Sequence, residues 1–164
     1  YVRLAQSCTT PICTGEDIYL KEGFVPLLES GGVSIIHPDI LTCGGILELK
    51  KIGDLAQEHG VAMAVHMAES PVACMAAVHA VAATENFVAL ENHSVDIPWW
   101  DDLVAGPAKP IVHNGYISVP ESPGLGIEAL SDEVIREHLD PEDPGLWEPT
   151  EPYDRLDSHD RLWS

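Results

Sequence analysis

The chain has 164 residues, 45% of them hydrophobic and 21% charged, a globular composition large enough for one domain with a real core. Eight Lys and Arg face 27 Asp and Glu, for a formal net charge of −19, and a surface of that sign repels nucleic acid and anionic membrane. No stretch approaches the roughly 20 apolar residues of a membrane span, and the first residues lack the basic start and apolar run of a signal peptide. Cys8, Cys13, Cys43 and Cys74 form no CxxC pair; each lies in or beside an apolar segment, so reduced thiols in or near the core are expected, and with them a cytoplasmic location. Tyr1 stands where an initiator Met would, and the first residues read as the end of a helix in progress. The sequence is therefore expected to start inside a longer protein.

The elements alternate. Ile12-Cys13-Thr14 reads as a short strand. Ile18 to Glu29 has helical spacing (Leu20, Phe24, Leu27, Leu28), weakened by Gly23 and Pro26 and stopped by Gly31-Gly32. Asp17 is the expected N-cap of that helix. Val33 to Ile36 is a second strand, β-branched and bounded by Gly and Pro. Gly44-Gly45 opens a helix over Ile46 to His59, with Leu49, Ile52, Leu55 and Ala56 on one face and Gly60 ending it. Val61 to Val65 is a third strand, Pro71 to Ala83 an Ala-rich helix, and Phe87 to Leu90 a fourth strand. The strands are continuous apolar runs, the pattern of parallel strands covered on both faces. A barrel or a doubly wound sheet is implied. Ser131-Asp132-Glu133 predicts a capped helix start running to Leu139. Eleven Asp and Glu and three Arg lie from Ser131 onward, and the end of the chain reads as an extended tail packing Trp147 and Trp163 on the barrel or on another subunit. Trp99-Trp100 is expected in a loop near the active-site face or an interface.

Each strand is followed by an ionisable residue: Glu16, Asp39, His66 and Glu91, spaced by about one βα unit. In a parallel α/β barrel the C-terminal strand ends form the active-site face. Any one of these residues could equally be a solvated loop start; four in register point to a site. Glu16 is a hard oxygen donor suited to Mg2+, although one carboxylate is not a complete site. A carboxylate such as Asp39 beside His66 fixes the imidazole tautomer and raises its basicity, giving a general base near neutral pH. Glu91 could serve a reacting oxygen as a protonated carboxyl, which needs a pKa raised by burial; otherwise it pairs with a nearby cation. His37 sits near a strand end, where it could contact substrate or cap a layer of the sheet. His79 reads as core or helix surface, and His93 and His113 as loop residues without an evident partner. No CxxC, HExxH, GxSxG or Walker pattern is present.

These residues resemble a known family. Pro11 to Glu16, His37 to Ile46, Val65-His66 with its short loop to Pro71, and Phe87 to Glu91 resemble strands 5 to 8 of the enolase superfamily barrel, in the mandelate racemase and muconate lactonizing enzyme-like, acid-sugar-dehydratase-like branch. Asn114 to Pro120 and Pro123 to Ile127 resemble the closing segment that returns to the capping domain. Asp160 to Ser164 looks like the end of some members. The resemblance implies a C-terminal part of a (β/α)8 barrel: residues 1–105 as partial barrel, 106–130 as closing segment, and 131–164 as acidic helix and tail. It implies Glu16 as a Mg2+ ligand, His66 as acid/base with Asp39 as its dyad partner, and Glu91 hydrogen-bonded to the enediolate oxygen. His37 and Glu91 are expected to face a small carboxylate substrate, a sugar acid.

The implied reaction removes the proton alpha to the carboxylate and then eliminates water. Racemisation or epimerisation with the same dyad, or a non-catalytic scaffold, are the alternatives. A homo-oligomer is implied by the family. Strands earlier in the barrel are absent from the sequence, so this stretch alone is expected to be inactive.

Overall fold

A computed structural model describes residues 1–143 and 145–148. Its elements are α1 (Val2–Ser7), β1 (Cys13–Thr14), α2 (Leu20–Glu29), β2 (Ile35–Ile36), α3 (Ile46–Glu58), β3 (Ala62–Val65), α4 (Pro71–Ala82) and β4 (Phe87–Leu90). Two 3-10 turns follow at His93–Asp96 and Trp100–Leu103, then β5 (Val104–Ala105), β6 (Ala129–Leu130) and α5 (Asp132–Glu137).

Strands β1 to β4 form one sheet in sequence order, every pair parallel. A doubly wound sheet reverses its strand order at a switch point. This sheet does not, so it winds in one direction, as a barrel wall does. Parallel crossovers are right-handed, and helices α2, α3 and α4 pack side by side in the same order.

Local chemistry explains the helices. On α3, Leu49, Ile52, Gly53 and Ala56 are buried, the i, i+3, i+4, i+7 stripe of a helix with one face on a core. The other side carries the pairs Lys50–Asp54 and Lys51–Glu48. Gly45 precedes this helix at φ +87°, a backbone that side chains rarely tolerate, so the turn from β2 into α3 depends on glycine there. Pro71 sits in the first turn of α4, where its missing N–H costs nothing. Helix α4 is buried nearly all round because it serves two cores. Ala73, Ala77, Ala80 and Val81 join the main cluster with Phe24, Ile36, Leu49, Ile52 and Met63. Cys74, Met75 and Val78 join a second cluster with Met67, Trp100, Val104 and Ile111.

Four expectations need correction. The strands are not covered on both faces. Met63 and Val65 are fully buried, while their neighbours Ala62 and Ala64 are only half-buried and Val88 on β4 is exposed. The helices seal one face, and among the described residues nothing comparable seals the other. Secondly, Asp17 does not cap α2. Tyr19 holds the cap position, and the first helical N–H groups go elsewhere: Leu20 donates to the Cys43 carbonyl, and Lys21 to the Glu48 carboxylate. Thirdly, Cys43 and Cys74 are buried, which pushes both thiols up to about 12, but Cys8 and Cys13 are exposed. Cys13 lies on β1, at the edge of the sheet. Finally, Trp147 is 67% exposed and its indole N–H reaches Asp132, rather than packing on the barrel. Trp163 and the Asp160 to Ser164 run lie outside the described residues.

Past β4 the chain closes on itself. Val104 and Ala105 pair antiparallel with Leu130 and Ala129, bracketing the loop over 106–128. Ser131 caps α5 by accepting from the Val134 N–H. The Trp99 and His138 rings stack at 4.0 Å, holding α5 against the second turn. No helix among the described residues is long and apolar enough to cross a membrane.

Candidate active site

The sheet's own hydrogen bonds run on past the strands and carry the site. His37 N–H donates to the Thr14 carbonyl, His66 N–H to Pro38, and Glu91 N–H to Val65, at 2.9, 3.0 and 2.9 Å. The backbones of Asp39 and His66 form a further parallel bridge. Gly15 turns the chain out of β1 at φ +137°. A Cβ there would stand 2.9 Å from the Phe24 ring, so glycine lets Glu16 follow at the rim. The four strand-end residues thus gather on one edge, as their spacing predicts.

His66 is the centre. Its Nδ1–H donates to Asp39 Oδ2 at 2.6 Å. That places the lone pair of the neutral ring on Nε2. Nε2 lies 3.6 Å from Glu91 Oε2 and 4.0 Å from Glu16 Oε2. Asp39 is 2% exposed, and its other oxygen accepts from the N–H groups of Leu41 and Thr42 at 2.7 and 3.2 Å. It is therefore fixed in place before it meets the imidazole. Burial pulls the His66 pKa down, but the Asp39 hydrogen bond and the charges of Asp39, Glu91 and Glu16 outweigh it and hold the ring above the ordinary histidine value.

Glu91 departs from one of its two expected states. Burial pushes its carboxyl up, yet the His93 hydrogen bond, the Met67 N–H and the charges of His37 and His66 pull harder, and it sits below the usual carboxylate range. The site thus does not carry the raised pKa that a protonated Glu91 would need. Instead it pairs: His37 Nε2 lies 3.1 Å from Oε2, and His93 Nε2 lies 2.7 Å from Oε1.

Two participants escaped the sequence reading. Glu69 approaches His66 Nδ1 to 4.0 Å and shares the Asp39 neighbourhood. Burial, then the Asp39 hydrogen bond and charge, raise its pKa against the pull of the Ala68 N–H and His66. Its own carbonyl is held from behind by Trp100 Nε1–H at 2.8 Å and by the Ser94 hydroxyl at 3.3 Å. Glu69 lies in an irregular loop, where spacing carries no directional signal. His93 was more legible: it is two residues past Glu91, and an extended backbone sends alternate side chains to the same side.

Asp39, His66 and Glu69 together have the spacing of a metal-binding trio. Their chemistry argues against Mg2+ there. Asp39 already spends its oxygens on three N–H groups, and Mg2+ prefers oxygen donors to imidazole. Glu16 fits better. Its carboxylate is 55% exposed, stands at the rim, and lines a cavity of about 390 Å³ with Cys13, Thr14, Asp17 and His37. It offers one hard oxygen ligand and requires partners from other segments. A larger cavity of about 680 Å³, beside the loop over 106–120, contains none of these groups.

Residues 1–134 match the family model described as enolase C-terminal domain-like. The chain belongs to that family. Within this enolase-like group it is 41% identical over 136 residues to a D-xylonate dehydratase of Haloferax volcanii, covering 83% of this chain and 32% of that one. It is 36% identical over 155 residues to a D-galactonate dehydratase of Ralstonia pickettii, covering 90% of this chain and 40% of the relative. Among solved structures it resembles a mandelate racemase/muconate lactonizing enzyme-like protein of Rubrobacter xylanophilus, with a TM-score of 0.79 at 40% identity, covering 84% of this chain and 34% of that one. The chain thus spans about a third of the length of the relatives it matches. Its fold is the C-terminal portion of their TIM-like barrel.

Proposed function

We propose that the protein carrying this chain is an acid-sugar dehydratase, removing the proton alpha to a carboxylate and the hydroxyl of the neighbouring carbon, which together leave as water. The observation that carries this reading is the Asp39–His66 dyad, with Nε2 facing the rim between Glu16 and Glu91. The dehydratase names of the relatives support it.

The geometry supports the following roles. His66 Nε2 takes the α-proton. Asp39 keeps the proton on Nδ1, and its charge stabilises the imidazolium that forms. The same Nε2–H can then pass its proton to the departing β-hydroxyl, which leaves as water. The enol that remains tautomerises to a 2-keto-3-deoxy acid. Glu91 and its histidines line the rim where the substrate's oxygens would lie. Glu16 would hold Mg2+ with ligands from segments outside this chain, and the ion would supply positive charge for the substrate carboxylate.

The test uses the complete protein with a panel of aldonic and aldaric acids, D-xylonate and D-galactonate among them, in the presence of Mg2+. The expected result is a 2-keto product from at least one. Solvent deuterium entering recovered substrate without elimination would move the reading to a racemase. Neither outcome from any acid would sink both.

A further inference from the structure

Among the described residues the Glu16 carboxylate approaches only His66, at 4.0 Å. Its position is therefore set by the main chain that carries it. The Glu16 carbonyl accepts from the Thr42 hydroxyl at 3.2 Å. The N–H of the same Thr42 donates to Asp39 Oδ1, also at 3.2 Å. Asp39 holds His66 through its other oxygen. One residue thus touches the backbone beneath the rim carboxylate and the side chain of the dyad carboxylate. We propose that Thr42 is a positioning residue that fixes Glu16, as a Mg2+ ligand, relative to the Asp39–His66 dyad.

Both ends of this brace are anchored. The turn that carries Thr42 is built around buried Asp39, whose side chain accepts from the Leu41 and Thr42 N–H groups and whose carbonyl accepts from the Cys43 N–H at 2.9 Å. The segment that carries Glu16 is closed by the Ile18 N–H, which donates to the Gly15 carbonyl at 3.1 Å. It is tied to the Asp39 turn a second time where α2 begins, since the Leu20 N–H donates to the Cys43 carbonyl at 3.1 Å. Leu20 holds φ +56°, which residues other than glycine seldom adopt. Such a conformation persists where the surroundings over-determine it.

The brace has a use. A base and a metal that act on one substrate must keep their separation, and a misplacement of about 1 Å can cost about 10²-fold. Glu16 follows β1 and His66 follows β3, with β2 between them in the sheet. Thr42 belongs to the turn after β2 and so spans the gap from the middle. It bonds the Glu16 carbonyl and leaves the carboxylate oxygens open for an ion. The inference rests on the reading of Glu16 as a Mg2+ ligand, and its test separates the two.

The complete protein is titrated with Mg2+ by calorimetry, beside its Thr42→Val, Thr42→Ser and Glu16→Gln variants. Thr42→Val keeps the branched shape and the N–H to Asp39 but deletes the hydroxyl; Thr42→Ala makes the same deletion should Thr42→Val fail to fold. The deletion is expected to weaken Mg2+ binding by about three- to tenfold, the worth of one hydrogen bond, with Thr42→Ser close to native. In the Glu16→Gln background it should add nothing further, because both changes act through one ligand. Unchanged affinity in Thr42→Val overturns the proposal. A Thr42→Ser as weak as Thr42→Val also overturns it, by assigning the effect to the methyl group. A loss that persists in full in the Glu16→Gln background does so too, by making the effect a general loosening. If Glu16→Gln alone leaves the affinity unchanged, the reading of Glu16 as a ligand falls and takes the proposal with it. If Glu16→Gln weakens binding and Thr42→Val does not, the proposal falls alone.

Discussion

Asp39 and His66 are joined twice, once by a parallel bridge between their backbones and once by the 2.6 Å contact from Nδ1 to Oδ2. The main-chain link sets the distance that the side-chain link then uses. Asp39→Asn keeps the shape but removes the charge and can present an N–H to Nδ1. Loss of an orienting Asp from a His-based machine costs up to about 10⁴-fold in kcat, and a fall of at least about 10²-fold is expected here. Steady-state kinetics on the acid found to be turned over would check it.

The same substitution has a pH signature. His66 titrates above its ordinary value. Its contribution to stability is therefore fully present below about pH 6.5, the value in an unfolded chain. That contribution fades as pH rises through the folded value. Activity runs the opposite way, because the base must be neutral. The acid limb of kcat/KM should thus lie above about pH 6.5 in the native protein, and Asp39→Asn should move it down. A limb that stays put would mean that another group is the base.

Glu69 carries a cost that can be removed. Its folded pKa is raised, so folding favours the protonated form. Its stabilising share is present below about pH 4.3 and is lost as pH climbs through the folded value. Glu69→Gln should therefore melt higher than the native protein at neutral pH, with the gap closing toward pH 4. A variant that melts lower at neutral pH would show that the carboxylate is satisfied by a charge these contacts do not include.

Glu16 should be separable from the fold. Among the described residues its exposed carboxylate makes only a 4.0 Å approach to His66. Glu16→Gln in the complete protein is expected to leave the melting temperature within about 1 °C, since surface changes stay within about 0.5 kcal/mol, while weakening Mg2+ binding by calorimetry at least tenfold. Unchanged Mg2+ affinity would remove Glu16 from the ligand set.

Trp100 supports the site from behind. Trp100→Phe keeps the buried ring and deletes the N–H that reaches the Glu69 carbonyl. The Ser94 hydroxyl still serves that oxygen, so the loss should fall toward the lower end of about 0.5–1.5 kcal/mol. Hydrogen exchange at Ala68 and Glu69 should quicken more than exchange in β3. Uniform quickening would point to global loosening instead.

The parallel wall and its rim were legible because they rest on repetition. Apolar strands, helical stripes and a titratable residue after each strand recur at one spacing, and the sheet order follows. Asp39, His66, Glu16 and Glu91 could be placed before any contact was known. The charge states could not. Whether Glu91 is acid or anion depends on His37 and His93, which approach it from other segments. Glu69 was hidden for the same reason: its effect comes from where an irregular loop puts it. Coverage of the sheet also depended on more than pattern, since apolar composition predicts burial on both faces whether or not a neighbour is there to supply it.

The ladder that continues beyond the strands divides the molecule into two inheritances. Leu49, Ile52 and Met63 hold the wall together without touching the rim chemistry, and the Glu16 carboxylate decorates the rim without holding the wall. An exchange at Glu16 would therefore leave the buried wall untouched. Asp39 differs, bound to both halves through Leu41, Thr42 and His66. It is the position at which a change of chemistry would also have to survive as a change of structure.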